Sequence, residues 1–197
     1  MCGRYYSRAE KQRIAEAFRA GIPDHLDFLR SYNVAPQSIQ PIIRLSTETE
    51  ECEIALMRWG LIPFWAKGAK IGLSTINARA ETVTTSPAFR KALKRRRCLV
   101  PASGFYEWQK LDAKAKQPYA ISVTGQDPIA FAGAAFVLGF SPCCVCSCQP
   151  PPLRLGPEPI PARGRVGRYT ASLTTPALSS PFFQHFCMHS EKSAISL

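Results

Sequence analysis

Acidic side chains are scarce in this chain: 14 Asp and Glu stand against 25 Lys and Arg in 197 residues. That imbalance disfavours cationic partners and favours polyanions, nucleic acid first among them. Long apolar runs are missing as well, and none approaches the roughly 18 to 20 residues that a membrane span needs. The first residues, with Arg4, Arg8 and Lys11 among polar neighbours, lack the apolar stretch of a secretion signal. We therefore expect a soluble cytoplasmic protein with no membrane partner, and in that compartment a disulfide framework is not expected. No internal repeat is apparent. Metal-ligand spacing is also wanting, because Cys143, Cys144, Cys146 and Cys148 crowd together without a second ligand group, so no metal is expected.

What is present divides near Phe136. Residues 137–197 hold nine of the seventeen prolines and five of the eight cysteines. Net charge is +8 before the boundary (20 basic, 12 acidic) and +3 after it (5 basic, 2 acidic). Six prolines between Gln149 and Pro161 oppose both helix and sheet, so residues 137–197 read as an irregular or disordered tail behind a domain spanning 1–136.

In the first 136 residues local signals agree with one another. Ser7 and Glu10 read as a capping box ahead of Ile14, Ala17 and Phe18, with Gly21 and Pro23 as stops, which predicts a helix over 8–20. Ser86 and Pro87 open a second helix to about Arg96, with Phe89 and Leu93 inward. Strands are predicted at 41–45, 53–58, 98–100, 105–109, 119–123 and 129–133. Short strands with two helices place the fold in the α+β class.

Cys2 is the first candidate for chemistry. Initiator methionine is usually trimmed before a small residue, and trimming exposes a 1,2-aminothiol. Its amine, ordinarily near about 7.7 to 8.0, and its thiol, near about 8.5, are both substantially nucleophilic close to neutrality. Such a group closes onto an aldehyde as a thiazolidine, or performs acyl transfer with the amine as base.

Four further constellations stand out. In Met57–Trp65 a strand runs into a Gly/Pro turn with large aromatics; Trp65 offers a base-stacking platform if exposed, whereas Trp59 reads better as core. Asn77-Ala78-Arg79-Ala80-Glu81 carries an amide able to orient a nucleophile or sugar oxygen and a guanidinium able to fork onto phosphate; an ordinary loop with an Arg79–Glu81 ion pair is the alternative. Arg90, Lys91, Lys94, Arg95, Arg96 and Arg97 fall within eight positions, and phosphate contact competes evenly with a solvated face. In Gly104-Phe105-Tyr106-Glu107-Trp108, strand alternation puts Glu107 on the face of Phe105 among aromatics, a setting suited to general acid–base work; a strand glutamate facing water is the commoner case.

Met-Cys-Gly-Arg-Tyr at the start, Tyr32-Asn33-Val34-Ala35-Pro36, MRWGLIPFWAK, INARAET, FRKALKRRRCLVPASGFYEW, KQPYAI and FAG, in this order, resemble the SOS response-associated peptidase family of abasic-site processing proteins, in its bacterial form. The likeness covers about residues 1–136. It implies a mixed, distorted barrel-like β-sheet with flanking helices and a positive groove for single-stranded DNA. It further implies a covalent crosslink between the N-terminal cysteine and the aldehyde of an abasic site, and autoproteolytic removal of the preceding residue. Carried onto this sequence, Cys2 is the nucleophile, Asn77 orients it, and Glu107 is the acid/base. Arg4, Trp65 and Arg79 line the DNA groove. No cofactor is implied, and the chain is expected to be a monomer whose partner is single-stranded DNA bearing abasic sites.

One family element is missing. The Leu-Trp-Glu stretch and the His-x-Arg-Met-Pro segment that follow FAG in the family give way here to Ala134-Ala135-Phe136 and the tail, and His185 and His189 have no comparable context. A shifted reading frame produces such an abrupt loss of pattern and of core-forming composition, and a genuine divergent segment is the alternative. Three other functional classes stay open: an N-terminal-nucleophile peptidase acting on another protein, a noncatalytic single-strand-binding module, and an inactive truncated product.

Overall fold

A computed structural model describes residues 3–113, 115–138, 141–147 and 167–171, with side chains described up to Ala135. The described part is mostly β. Strands β1 (Arg4–Ser7), β2 (Ser31–Val34), β6 (Gly104–Lys110), β7 (Lys116–Val123) and β10 (Gly167–Ala171) form a sheet in the order β10-β7-β6-β1-β2. Its pairs are antiparallel except β10 on β7. The second sheet is β3 (Ile39–Leu45), β4 (Cys52–Trp59), β9 (Ser141–Ser147), β8 (Ile129–Leu138) and β5 (Arg97–Ala102). It rolls into a barrel-like ring that closes through a short parallel contact, Arg58 beside Cys143 and Trp59 beside Cys144, the distorted barrel implied by the family resemblance.

Alternation along the strands builds two apolar layers from one ring. Ile42, Cys98 and Val100 face a core shared with Tyr5, Val34, Phe105 and Ile121 of the other sheet, while their neighbours Ile43 and Leu99 face outward beneath α1 (Lys11–Phe18). An eight-residue helix is marginal by itself, so α1 depends on that packing. Its Ile14 is fully buried, worth about 1.5–3 kcal/mol. The third cluster joins Leu61, Ile62, Ala78, Ala92 and Ala134 under α2 (Arg90–Arg95) and the 60–80 segment.

All six predicted strands are present, some extended by a few residues. The helices are shorter than predicted. Ser7 is the last residue of β1 and buried, so it cannot cap; Glu10 takes the N-cap position without a side-chain bond, and the helix begins at Lys11. It ends at Arg19, whose backbone is left-handed (φ 49°). The Ala20 N–H donates to the Ala15 carbonyl and the Arg19 N–H to Glu16, the double bond of a Schellman turn. Glycine is the usual residue at such a position, which is why Gly21 misplaced the stop. The predicted second helix over 86–96 is reduced to α2, entered from a bonded turn at Ser86, with Ala92 as its buried residue.

Phe136 does not end the sheet. β8 continues to Leu138, and β9 pairs with it from Ala132–Ser147 to Leu138–Ser141. The proline-rich stretch 149–161 lies outside the described residues, as do Cys148, His185 and His189.

Candidate functional site

Two segments carry the site residues predicted from sequence, and one aromatic seam joins them. On the first, β1 lies antiparallel to β6 with Arg4 opposite Tyr106, Tyr5 opposite Phe105 and Tyr6 opposite Gly104. Glu107, half-buried, is therefore the next residue of β6 beyond Arg4, at the end where the chain enters the sheet. It shares the face of Phe105, as alternation predicted, and sits opposite Tyr119 of β7. The close β1–β6 approach needs Gly104, since a Cβ there would lie 2.3 Å from the Ile121 carbonyl oxygen and 2.4 Å from the Tyr6 hydroxyl. Arg4 donates from Nη1 to Asn33 Oδ1 on β2 at 2.6 Å, which aims the guanidinium along the sheet.

The second segment is the 60–80 connection. Trp59 is core, as read from sequence, and its Nε1–H donates to the Ile76 carbonyl at 2.7 Å, fixing the residue before Asn77. Leu61 N–H donates to the Thr75 carbonyl, and the Thr75 hydroxyl donates back to Leu61. At Gly60 (φ +129°) a Cβ would fall 2.4 Å from the Gly72 carbonyl oxygen and 2.5 Å from Gln37 Nε2, so only glycine lets the two strands of this loop meet. Asn77 is half-buried. Arg79 is exposed, and its carbonyl accepts from the Thr82 and Val83 N–H groups as the chain turns toward α2. Trp65 is 51% exposed at the tip of the turn after buried Pro63, available as the stacking platform the sequence suggested.

The seam is Tyr5, Trp59, Ile76 and Phe105. The Tyr5 and Trp59 rings pack at 5.4 Å between centroids, and all four residues belong to the core between the sheets. Arg4 follows directly from Tyr5, Asn77 from Ile76, and Glu107 lies two residues past Phe105. Asn77 and Glu107 thus adjoin one packed cluster, whereas alternation puts Arg4, opposite Tyr106, on the other face of the sheet from Tyr5 and Phe105; Ala78 beside Arg79 and Ala66 beside Trp65 belong to the neighbouring cluster beneath α2. Cys2 lies outside the described residues.

Sequence reasoning missed the supports. Tyr106 donates its hydroxyl to the Tyr32 carbonyl at 2.8 Å, and burial together with the Tyr6 ring beside it pushes that hydroxyl above its usual range. Asn33, Gln37 and Gly72 likewise had no assigned role. Asn33 falls within a quoted motif; the other two carry no local signal. Among the described residues no three of His, Cys, Asp and Glu are grouped to hold a metal ion, and no helix is long and apolar enough to cross a membrane.

Residues 1–139 match the family described as SOS response associated peptidase (SRAP). The chain belongs to that family. It is 44% identical over 135 residues to the abasic site processing protein YoqW of Bacillus subtilis, covering 68% of this chain and 59% of that one. Over 128 residues it is 40% identical to the abasic site processing protein HMCES of Pongo abelii, covering 59% of this chain and 35% of that protein. The SRAP chain therefore spans less than two thirds of these curated relatives. A Bacteroides thetaiotaomicron protein of known crystal structure superposes with a TM-score of 0.62 at 26% identity, covering 73% of this chain and 66% of its own.

Proposed function

We propose that this SRAP protein processes abasic sites in single-stranded DNA by forming a covalent crosslink through Cys2. The supporting observation is the β1–β6 register, which delivers the start of the chain beside Glu107 with Arg4 opposite Tyr106. The family membership and the names of its relatives supply the lesion.

In the proposed sequence, hydrolysis of the Met1–Cys2 amide consumes one water and frees the α-amine. The ring-opened abasic sugar presents an aldehyde at C1′. The amine adds to that carbon and one water leaves, giving an imine; the Cys2 sulfur then adds to the same carbon, its proton passing to the nitrogen, and a thiazolidine closes. Glu107 donates a proton as the sugar ring opens and as the water departs, and recovers one from the attacking groups. Asn77 orients the amine through its amide. Arg4 and Arg79 engage flanking phosphates, and Trp65 stacks on a base.

Incubation with a single-stranded oligonucleotide carrying one abasic site should yield a band resistant to denaturant, lost in Cys2→Ala. Glu107→Gln should slow its formation by about 10²- to 10⁴-fold with little change in binding to the intact strand. A band that survives in Cys2→Ala overturns the proposal. Salt-sensitive, fully reversible binding with no band indicates a noncatalytic single-strand-binding module instead.

A further inference from the structure

Helix α2 is electrostatically ill suited to stand alone. Its first turn holds Arg90 and Lys91 and no acid, against the positive end of the helix dipole. One turn later Lys94 stacks on Arg90 and Arg95 on Lys91, so like charges face each other at the i,i+4 spacing in two parallel rows. All four side chains are exposed, and among the described residues none has an acidic partner within ion-pair distance. Arg8, Arg13 and Arg30 do have one, whereas Arg19, Lys67 and Lys70 are exposed without one among the described residues, so α2 is set apart by the density of its cations and not by their being unpaired. Solvation alone explains a scattered charge; it does not explain six residues of helix with four cations and no relief.

The patch is also continuous with exposed aromatics. Lys91 Nζ lies 4.3 Å from the centroid of the Phe64 ring, joining α2 to the turn that displays Phe64 (54% exposed) and Trp65. Lys67 and Lys70, both exposed, extend the turn. Ala92 of α2, Ile62 before the turn and Ala78 between Asn77 and Arg79 share one apolar cluster, so the helix, the turn and the Asn77–Arg79 segment are held as a unit.

We infer that the Arg90–Lys91–Lys94–Arg95 face and the Phe64–Trp65 turn form a track for the backbone of a single strand leading away from the lesion. Charge complementarity selects a polyanion, and the flat rings selecting unpaired bases make it single-stranded. The inference rests on the function proposed above and assigns to α2 a role in affinity that is separate from the chemistry.

The test is equilibrium binding of a fluorescent, undamaged single-stranded oligonucleotide of roughly 25 nucleotides, longer than the sites such proteins cover, across a salt series. The triple variant Arg90→Gln, Lys94→Gln, Arg95→Gln should lower the slope of log affinity against log salt by about 2, since each lost phosphate contact on a single strand removes about 0.7. Arg90→Lys with Arg95→Lys should keep the slope, because tracking needs charge and not a fork. The thermal midpoint of the triple variant should not fall, as the substitutions relieve repulsion. A slope equal to the parent's overturns the track and leaves the abasic-site proposal standing. Absence of any binding by the parent chain overturns both.

Discussion

Tyr106 shows what a single side chain does for this sheet. Its hydroxyl reaches across β1 to the Tyr32 carbonyl and so ties β6 to β2 over the strand that carries Arg4. Burial and the neighbouring Tyr6 favour the neutral phenol in the folded protein, whereas the unfolded chain ionises at about pH 10. The unfolded state thus loses its proton first, so this contribution is intact below about pH 10 and fades as pH rises toward the folded value. Urea unfolding from neutral to alkaline pH should show that decline, and Tyr106→Phe should flatten it. At neutral pH the same variant should lose about 0.5–1.5 kcal/mol through the missing hydrogen bond. An alkaline slope identical in the variant would assign the decline to other groups.

At the scale of elements, the 60–80 connection is the part whose conformation depends most on one atom's absence. Gly60→Ala should cost about 1–3 kcal/mol, because both the positive φ and the contact with Gly72 and Gln37 must be abandoned. Limited proteolysis should then cut within 60–80 before it cuts the strands. The same element explains what the sequence disclosed and what it hid. Runs such as Ile39–Leu45 and Arg97–Ala102 announce themselves through apolar, β-branched residues, and they were legible as strands. β1 and β2 are four residues each and mixed in polarity, and what makes them strands is pairing with residues about 30 and 100 positions away in sequence. Arg4, Asn77 and Glu107 were proposed as site residues from motifs, whereas the hydrogen bond from Trp59 to the Ile76 carbonyl, which fixes the residue before Asn77, is a contact no local pattern encodes. The left-handed Arg19 was invisible for a similar reason, since packing of α1 on the ring decides where the helix stops.

In the whole molecule, the two sheets meet at a polar clasp as well as at the apolar core. The fully buried Ser103 hydroxyl accepts from the Arg8 N–H at 2.9 Å and donates to Asp127 at 2.7 Å, while Arg8 Nη2 pairs with the other Asp127 oxygen at 2.7 Å. The end of β1, the junction of β5 with β6 and the turn into β8 are thereby fastened together. Asp127→Ala should lower stability by roughly 1–3 kcal/mol by stranding a buried hydroxyl, and hydrogen exchange should rise together in β1 and β8. A loss confined to the turn itself would show that the clasp is local. The position of β1 has a last consequence, for synthesis. It is an interior strand, flanked by β2 and β6, yet it leaves the ribosome well before β6, and Arg4 waits for Tyr106. Closing a loop of about 100 residues is slow and entropically costly. A nascent chain can pair β1 with β2 early, but the edge of β1 that faces β6 stays open until about 100 further residues have emerged, so the β1–β6 pairing beside Glu107 comes into being late in folding.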